Sequence, residues 1–128
     1  MWGRDGDVSR RQTQNHIAAH LAYLYPIGYT LTMNTLIRSA VFDTWLTALA
    51  DLKAKARILA RLRSASLGNF GDCEPVGEGV SEMRIHVGPG YRVYFTRTGT
   101  TVYVLLVGGN KATQSQDIAR AGTMARAL

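Results

Sequence analysis

Cysteine is almost missing from the chain. Cys73 is alone among 128 residues, so no intrachain disulfide can form and a covalently stapled scaffold is excluded. A lone thiol in a β-rich run reads as a small residue in or near a strand, not as a nucleophile. Long apolar runs are missing too. None approaches the ~20 residues that span a bilayer, so no membrane partner is expected. Acidic residues are scarce: nine Asp and Glu stand against fifteen Lys and Arg, a formal charge of +6. That imbalance suits an acidic partner, nucleic acid or an acidic protein among them, and proves none. With 46% apolar and 19% charged residues, the chain has the composition of one globular domain with one core.

Residues 1–32 differ from the rest. "MWGRDGDVSRRQTQ" has neither helical nor strand period, and "NHIAAHLAYLYPIGYTLT" is interrupted by Pro26 and Gly28. The pair Arg10–Arg11 precedes that apolar stretch as in a signal peptide. The stretch itself holds two His, three Tyr and a Pro, with no A-x-A site after it, so a cytoplasmic location is expected instead. His16 and His20 lie one helical turn apart but lack the Glu of a zincin motif and a third ligand, so no metal or other cofactor is expected. Clean patterning begins at Met33. Residues 1–32 therefore read as an extension, with Met33 a candidate physiological start. Residues 33–128 read as the domain, and they keep twelve basic and seven acidic residues.

Within the domain, "NTLIR" is a short β-rich run. Ser39 is placed to cap a helix over "AVFDTWLTALA", and Asp51 a second over "LKAKARILARLRSAS". The second helix shows an apolar stripe of Leu52, Ala56, Leu59 and Leu62. Lys53, Lys55, Arg57, Arg61 and Arg63 occupy its other side. Spacing alone makes these a solvated face; bound to RNA, they would meet phosphates. "CEPVG" suits an edge strand because of Pro75. "VSEMRIHV" and "YRVYFTR" alternate across a Gly-Pro-Gly link, and "TVYVLLV" is continuously apolar, as an interior strand would be. Thr113 and Gln116 make a capping-box pattern ahead of a closing helix. The predicted fold is α+β. A two-helix hairpin packs on a small antiparallel sheet in the order β-α-α-β-β-β-β, followed by a C-terminal helix.

The alternation puts Met83, Ile85, Val87, Tyr91, Val93 and Phe95 on the core side. The opposite face should then collect Arg84, His86, Arg92 and Tyr94, with Lys111 beyond "GGN". The two glycines would let that backbone turn or approach a ligand closely. Arginine offers forked donors to phosphate, lysine a point charge, tyrosine a stacking surface and histidine a proton near neutral pH. Such a set could cleave RNA through attack of the ribose 2′-OH on its own phosphate. Outward-facing polar residues on a half-exposed sheet, with Glu82 paired to Arg84, are the plain alternative.

"FDTWLTALADLKAKARILARL", "GNFGD", "GVSEMRIHVGPGYRVYF" and "LLVGGNKATQSQDIARA" resemble the RelE/ParE toxin superfamily, in its HigB-like, addiction-module-killer branch. The resemblance runs over about residues 34–121 in family order. It implies two helices against an antiparallel sheet. It also implies the toxin of a type II toxin–antitoxin system that arrests growth by cutting mRNA on the ribosome without metal. Arg92, after Gly-Tyr, falls where RelE-like toxins hold the scissile phosphate, and Lys111 near their basic position after the last strand. Arg84 and His86 fall where those toxins place alternating lysines. RelE-like toxins supply a tyrosine from the last helix, and no Tyr follows Tyr103 here. His86 becomes the first candidate for proton transfer, with Tyr94 and Tyr91 behind it. The implied partners are an antitoxin encoded next door, often of helix-turn-helix type and binding operator DNA as a complex, together with mRNA and ribosomal RNA. On such a toxin Lys53, Lys55, Arg57, Arg61 and Arg63 would contact ribosomal RNA. ParE-like members share the fold and inhibit DNA gyrase instead; a basic nucleic-acid-binding domain without activity is a further alternative.

Overall fold

The computed structural model describes residues 33–128. The extension and the His16–His20 pair lie outside the described residues. Five strands and three α-helices follow in order: β1 (Thr35–Arg38), α1 (Ala40–Ala48), α2 (Leu52–Ser66), β2 (Cys73–Gly77), β3 (Val80–Ile85), β4 (Tyr91–Arg97), β5 (Val102–Asn110) and α3 (Gln114–Arg126). A 3₁₀ turn, Lys111–Thr113, links β5 to α3. The element order is the expected one.

The strands form one sheet in the order β1-β5-β4-β3-β2. The antiparallel expectation holds for β2 through β5, but β1 runs parallel to β5, with Thr35 opposite Val102 and Arg38 opposite Leu105. The sheet is therefore mixed. The cause is topological: α1, α2 and three strands intervene between β1 and β5, so no tight turn dictates their direction.

Both helix starts are capped as the sequence suggests. The Ser39 hydroxyl accepts from Phe42 N at 3.0 Å and donates to Leu106 O at 2.8 Å. One side chain thus caps α1 and ties it to β5, where the cap alone is worth about 1 kcal/mol. Asp51 accepts from Ala54 N at 3.0 Å with one oxygen and from the Tyr91 hydroxyl at 3.2 Å with the other. Tyr91 thereby fastens the start of α2 to the start of β4.

The buried stripe of α2 shares only Leu62 with the expected one. Ala54, Ile58, Leu62 and Ala65 face the sheet, whereas Leu52 is 76% and Leu59 40% exposed. Two stripes of equal period compete on this Ala- and Leu-rich helix. The choice agrees with contacts from elsewhere in the chain. Arg61 donates to the carbonyls of Arg84 (2.5 Å), Phe70 (3.0 Å) and Asp72 (3.4 Å), which pins one side of α2 to β3 and the loop before β2. Gly71 sits at φ +69°, and a Cβ there would stand 2.8 Å from Arg61 Nη2.

The first core lies between α1, α2 and one sheet face, around Leu36, Phe42, Ile58, Met83, Val93 and Leu105. A second, smaller core forms on the opposite face, where Ala121 of α3 meets Val80, Tyr94, Leu106 and Val107. The sheet is thus covered on both sides, and α3 roofs much of the face that was expected to be open. Its cap also differs from the predicted Thr113/Gln116 box. Asn110 and Thr113 form the box one turn earlier, around the 3₁₀ segment, and Thr113 makes no side-chain cap to α3. Among the described residues, no helix is long and apolar enough to cross a membrane.

Candidate functional site

Strand β3 ends at Ile85, so His86 and Val87 belong to the turn rather than the strand. Gly88 (φ +55°) and Gly90 (φ +81°) supply the left-handed backbone that the turn needs on either side of Pro89. Arg84 and Arg92 are direct cross-strand partners, and Arg92 is in turn opposite Gly109 of β5. The polar side chains of β3 and β4 are therefore neighbours, as alternation requires, but they are not equally available.

Glu82 is the organising residue. Its carboxylate is fully buried, a position tolerated only when every lone pair is served. Oε1 accepts from Arg84 Nε at 3.0 Å. Oε2 accepts from the Tyr94 hydroxyl at 2.9 Å and from Gln114 Nε2 at 2.9 Å, and it lies 3.4 Å from Arg92 Nε. Gln114 is the first residue of α3, so the helix closes over the network and completes it.

Tyr94 is therefore not on an open face. It is 0% exposed, because α3 covers it and its hydroxyl donates to Glu82. Burial first, and the neighbouring Glu82 carboxylate second, push its pKa far above the ordinary phenol value. Tyr91 faces the first core and binds Asp51. Arg84 is enclosed by Glu82, by Glu74 in a close ion pair, and by Asp72 at 3.8 Å. The expected cationic surface is thus largely neutralised where Arg84 sits.

Two expected residues remain open. The His86 side chain is 73% exposed, and its Nε2 lies 2.6 Å from Asp72 Oδ2. That hydrogen bond is the leading cause that holds the Asp72 carboxyl below its ordinary value, with the Arg84 charge helping against partial desolvation. Lys111 is exposed at the first position after β5. Its Cβ would stand 3.8 Å from a Cβ at Gly90, beside Arg92 Nη1. Arg92 itself is 13% exposed; Nη1 donates to Gly90 O at 3.0 Å, and Nε faces Glu82. The start of α2 adjoins the same turn, since Asp51 Oδ2 would lie 3.5 Å from a Cβ at Gly88.

Of the α2 cations, Lys53, Arg57 and Arg63 are exposed, and their side chains have no hydrogen bond or ion pair among the described residues. Lys55 is half-buried and reaches Thr47 O at 3.3 Å. Arg61 stands apart from the group, because its guanidinium is taken up by backbone carbonyls. Cys73 is half-buried, and burial raises its pKa despite the nearby Arg61 and Arg84, the opposite direction to that of a reactive thiol. Among the described residues, no cluster of His, Cys, Asp or Glu could hold a metal.

A groove of about 580 Å³ lies between α1, the last residues of β5 and α3, lined among others by Trp45, Gly108, Gly109, Asn110, Asp117 and Arg120. Trp45, Asp117 and Arg120 did not stand out in the sequence. The signal was the glycine pair inside an apolar strand, which marks close approach. The approach is by this chain's own side chains: a Cβ at Gly108 would overlap the Trp45 ring, and one at Gly109 the Asp117 carboxylate.

No known family profile matches the chain. The chain belongs to the same family as a protein of Haemophilus influenzae (strain Rd KW20). The two are 46% identical over 87 residues, which cover 68% of this chain and 88% of the relative. That relative is described only as an uncharacterized protein.

Proposed function

We propose that the chain is the toxin of a type II toxin–antitoxin pair and cleaves mRNA on the ribosome. The resemblance to RelE/ParE toxins suggests the class. The observation that carries the reading is the exposed His86 at the β3–β4 turn, its Nε2 2.6 Å from Asp72 Oδ2, with the exposed Lys111 beside Gly90 at the other end of the same turn, which leads into Arg92. The Asp72 carboxylate holds a proton on His86 Nε2, which leaves the Nδ1 lone pair toward solvent in the neutral ring. Nδ1 would take the proton from a ribose 2′-OH as that oxygen attacks the adjacent phosphorus. The P–O5′ bond breaks, and the leaving 5′ oxygen takes up a proton from the imidazolium or from water. Arg92 Nη groups and Lys111 would stabilise the charge gathering on the phosphate oxygens.

Arg92→Ala is a poor probe, since it removes one of the two guanidinium groups that face the buried Glu82 carboxylate and so disturbs the fold as well as the site. His86 is exposed, so His86→Ala should leave the fold intact. Induced expression without the protein encoded by the neighbouring reading frame should arrest growth, and His86→Ala should relieve the arrest. General acid–base groups contribute roughly 10²–10⁴-fold to rate. A fully toxic, folded His86→Ala protein would remove His86 from the mechanism.

A ParE-like inhibitor of DNA gyrase is the second reading. It draws on the enclosure of Arg84 and Tyr94, which leaves His86 as the one exposed proton-transfer group among the sequence candidates. Double-strand DNA breaks with intact mRNA would favour it.

A further inference from the structure

The groove beside β5 takes no part in the chemistry above. The geometry points to it as a binding site for an RNA base, guanine in particular; the choice of RNA as the polymer rests on the ribonuclease reading. Strand β1 ends at Arg38, opposite Leu105. Among the described residues, Val107–Asn110 therefore have a strand neighbour, β4, on one side only. On the other side α1 and α3 stand apart around the groove, whose volume of about 580 Å³ falls within the usual range for small-ligand sites.

Its walls differ in chemistry. Trp45 contributes an indole and Val41 an aliphatic surface, the kind of lining on which a base stacks. Asp117 contributes a half-buried carboxylate. Its Oδ2 accepts from the Thr113 hydroxyl at 2.6 Å, while Oδ1 has no partner among the described residues. A carboxylate offers two acceptor oxygens side by side. Among the four RNA bases, guanine presents two adjacent donors, N1–H and N2–H, on its Watson–Crick edge. Adenine and cytosine set one amine beside a ring-nitrogen acceptor, and uracil sets one N–H between two carbonyls; each brings an acceptor against the carboxylate.

Position links the groove to the cations. Gly109 lines it and is the cross-strand partner of Arg92, while Asn110 lines its end and precedes Lys111. Arg120 adds an exposed positive charge at the rim. A nucleotide with its base against Trp45 and Asp117 would direct its phosphate toward Lys111 and Arg92. The groove would then select the nucleotide beside the scissile bond.

The test is a titration of the isotopically labelled full chain with 5′-GMP, 5′-AMP, 5′-CMP, 5′-UMP and inorganic phosphate, followed by NMR. GMP should shift the Trp45 indole N–H and the Gly108 and Gly109 amides. It should bind about tenfold or more tighter than CMP, as a good bidentate pair provides. Inorganic phosphate should shift Lys111 without moving Trp45. Asp117→Asn keeps an oxygen for the Thr113 hydroxyl and should erase most of the guanine preference while the phosphate response at Lys111 persists. Shifts confined to the cations, or an unchanged preference in Asp117→Asn, would overturn the base site. GMP binding by a protein that leaves mRNA whole would sink the ribonuclease reading alone. Cleavage without guanine binding would sink the base site alone.

Discussion

Glu82 decides what its neighbours can do. Its buried carboxylate draws Arg84, Arg92, Tyr94 and Gln114 into one network spanning β3, β4 and α3. Tyr94 is thus a positioning residue, and its hydroxyl helps hold the group that orients Arg92. Tyr94→Phe should cost about 1–2 kcal/mol of stability in urea unfolding, the usual loss when a buried acceptor forfeits a donor. It should leave toxicity in place. The raised Tyr94 pKa gives this a pH signature. The protonated phenol's contribution is complete below the unfolded value near ~10 and is lost as pH rises from there toward the folded value. The wild-type advantage over Tyr94→Phe should therefore shrink in alkaline solution above that point. A Tyr94→Phe protein that is stable and inactive would return the phenol to the chemistry. The Glu82–Arg84 pairing was visible as an i, i+2 spacing on one strand face. The Arg92 and Gln114 contacts were not, because they join three elements separated by long stretches of chain.

At the scale of elements, local signals were legible and tertiary choices were not. Ser39 and Asp51 cap α1 and α2 as their side-chain chemistry requires, and period-two alternation assigned Met83, Ile85 and Val93 to the core. On α2 only Leu62 of the expected stripe is buried, because Arg61, a residue that looks solvent-bound by type, binds carbonyls of the sheet and loop and fixes the turn of the helix. The open face was misread because nothing local in α3 says which side of the sheet it covers. The glycine pair in β5 suits either a turn or close approach by a ligand, and the space beside it is taken by Trp45 and Asp117. Gly108→Ala should therefore be damaging although alanine is better suited to strands. Forcing a methyl group against the Trp45 ring should cost about 1–3 kcal/mol, measured as a lower urea midpoint. An unchanged midpoint would mean that Trp45 does not pack on Gly108 in solution.

Across the whole molecule, charge is sorted rather than spread. Acidic side chains gather around Arg84, and α2 carries none at all, so the side chains of Lys53, Arg57 and Arg63 project without a partner among the described residues. If this surface meets ribosomal RNA, binding should weaken with salt, and Lys53→Ala or Arg57→Ala should each reduce the slope of log K against log [salt] by about one. A slope unchanged by both substitutions would place the RNA elsewhere. If the end of the molecule bearing His86, Arg92 and Lys111 breaks RNA in a translating ribosome, incubating the purified protein with translating ribosomes and mapping mRNA 5′ ends should reveal it most directly. New 5′ ends should arise at codons within the reading frame, persist with chelator and vanish with His86→Ala. Intact mRNA under conditions in which the same protein still arrests growth would contradict that reading.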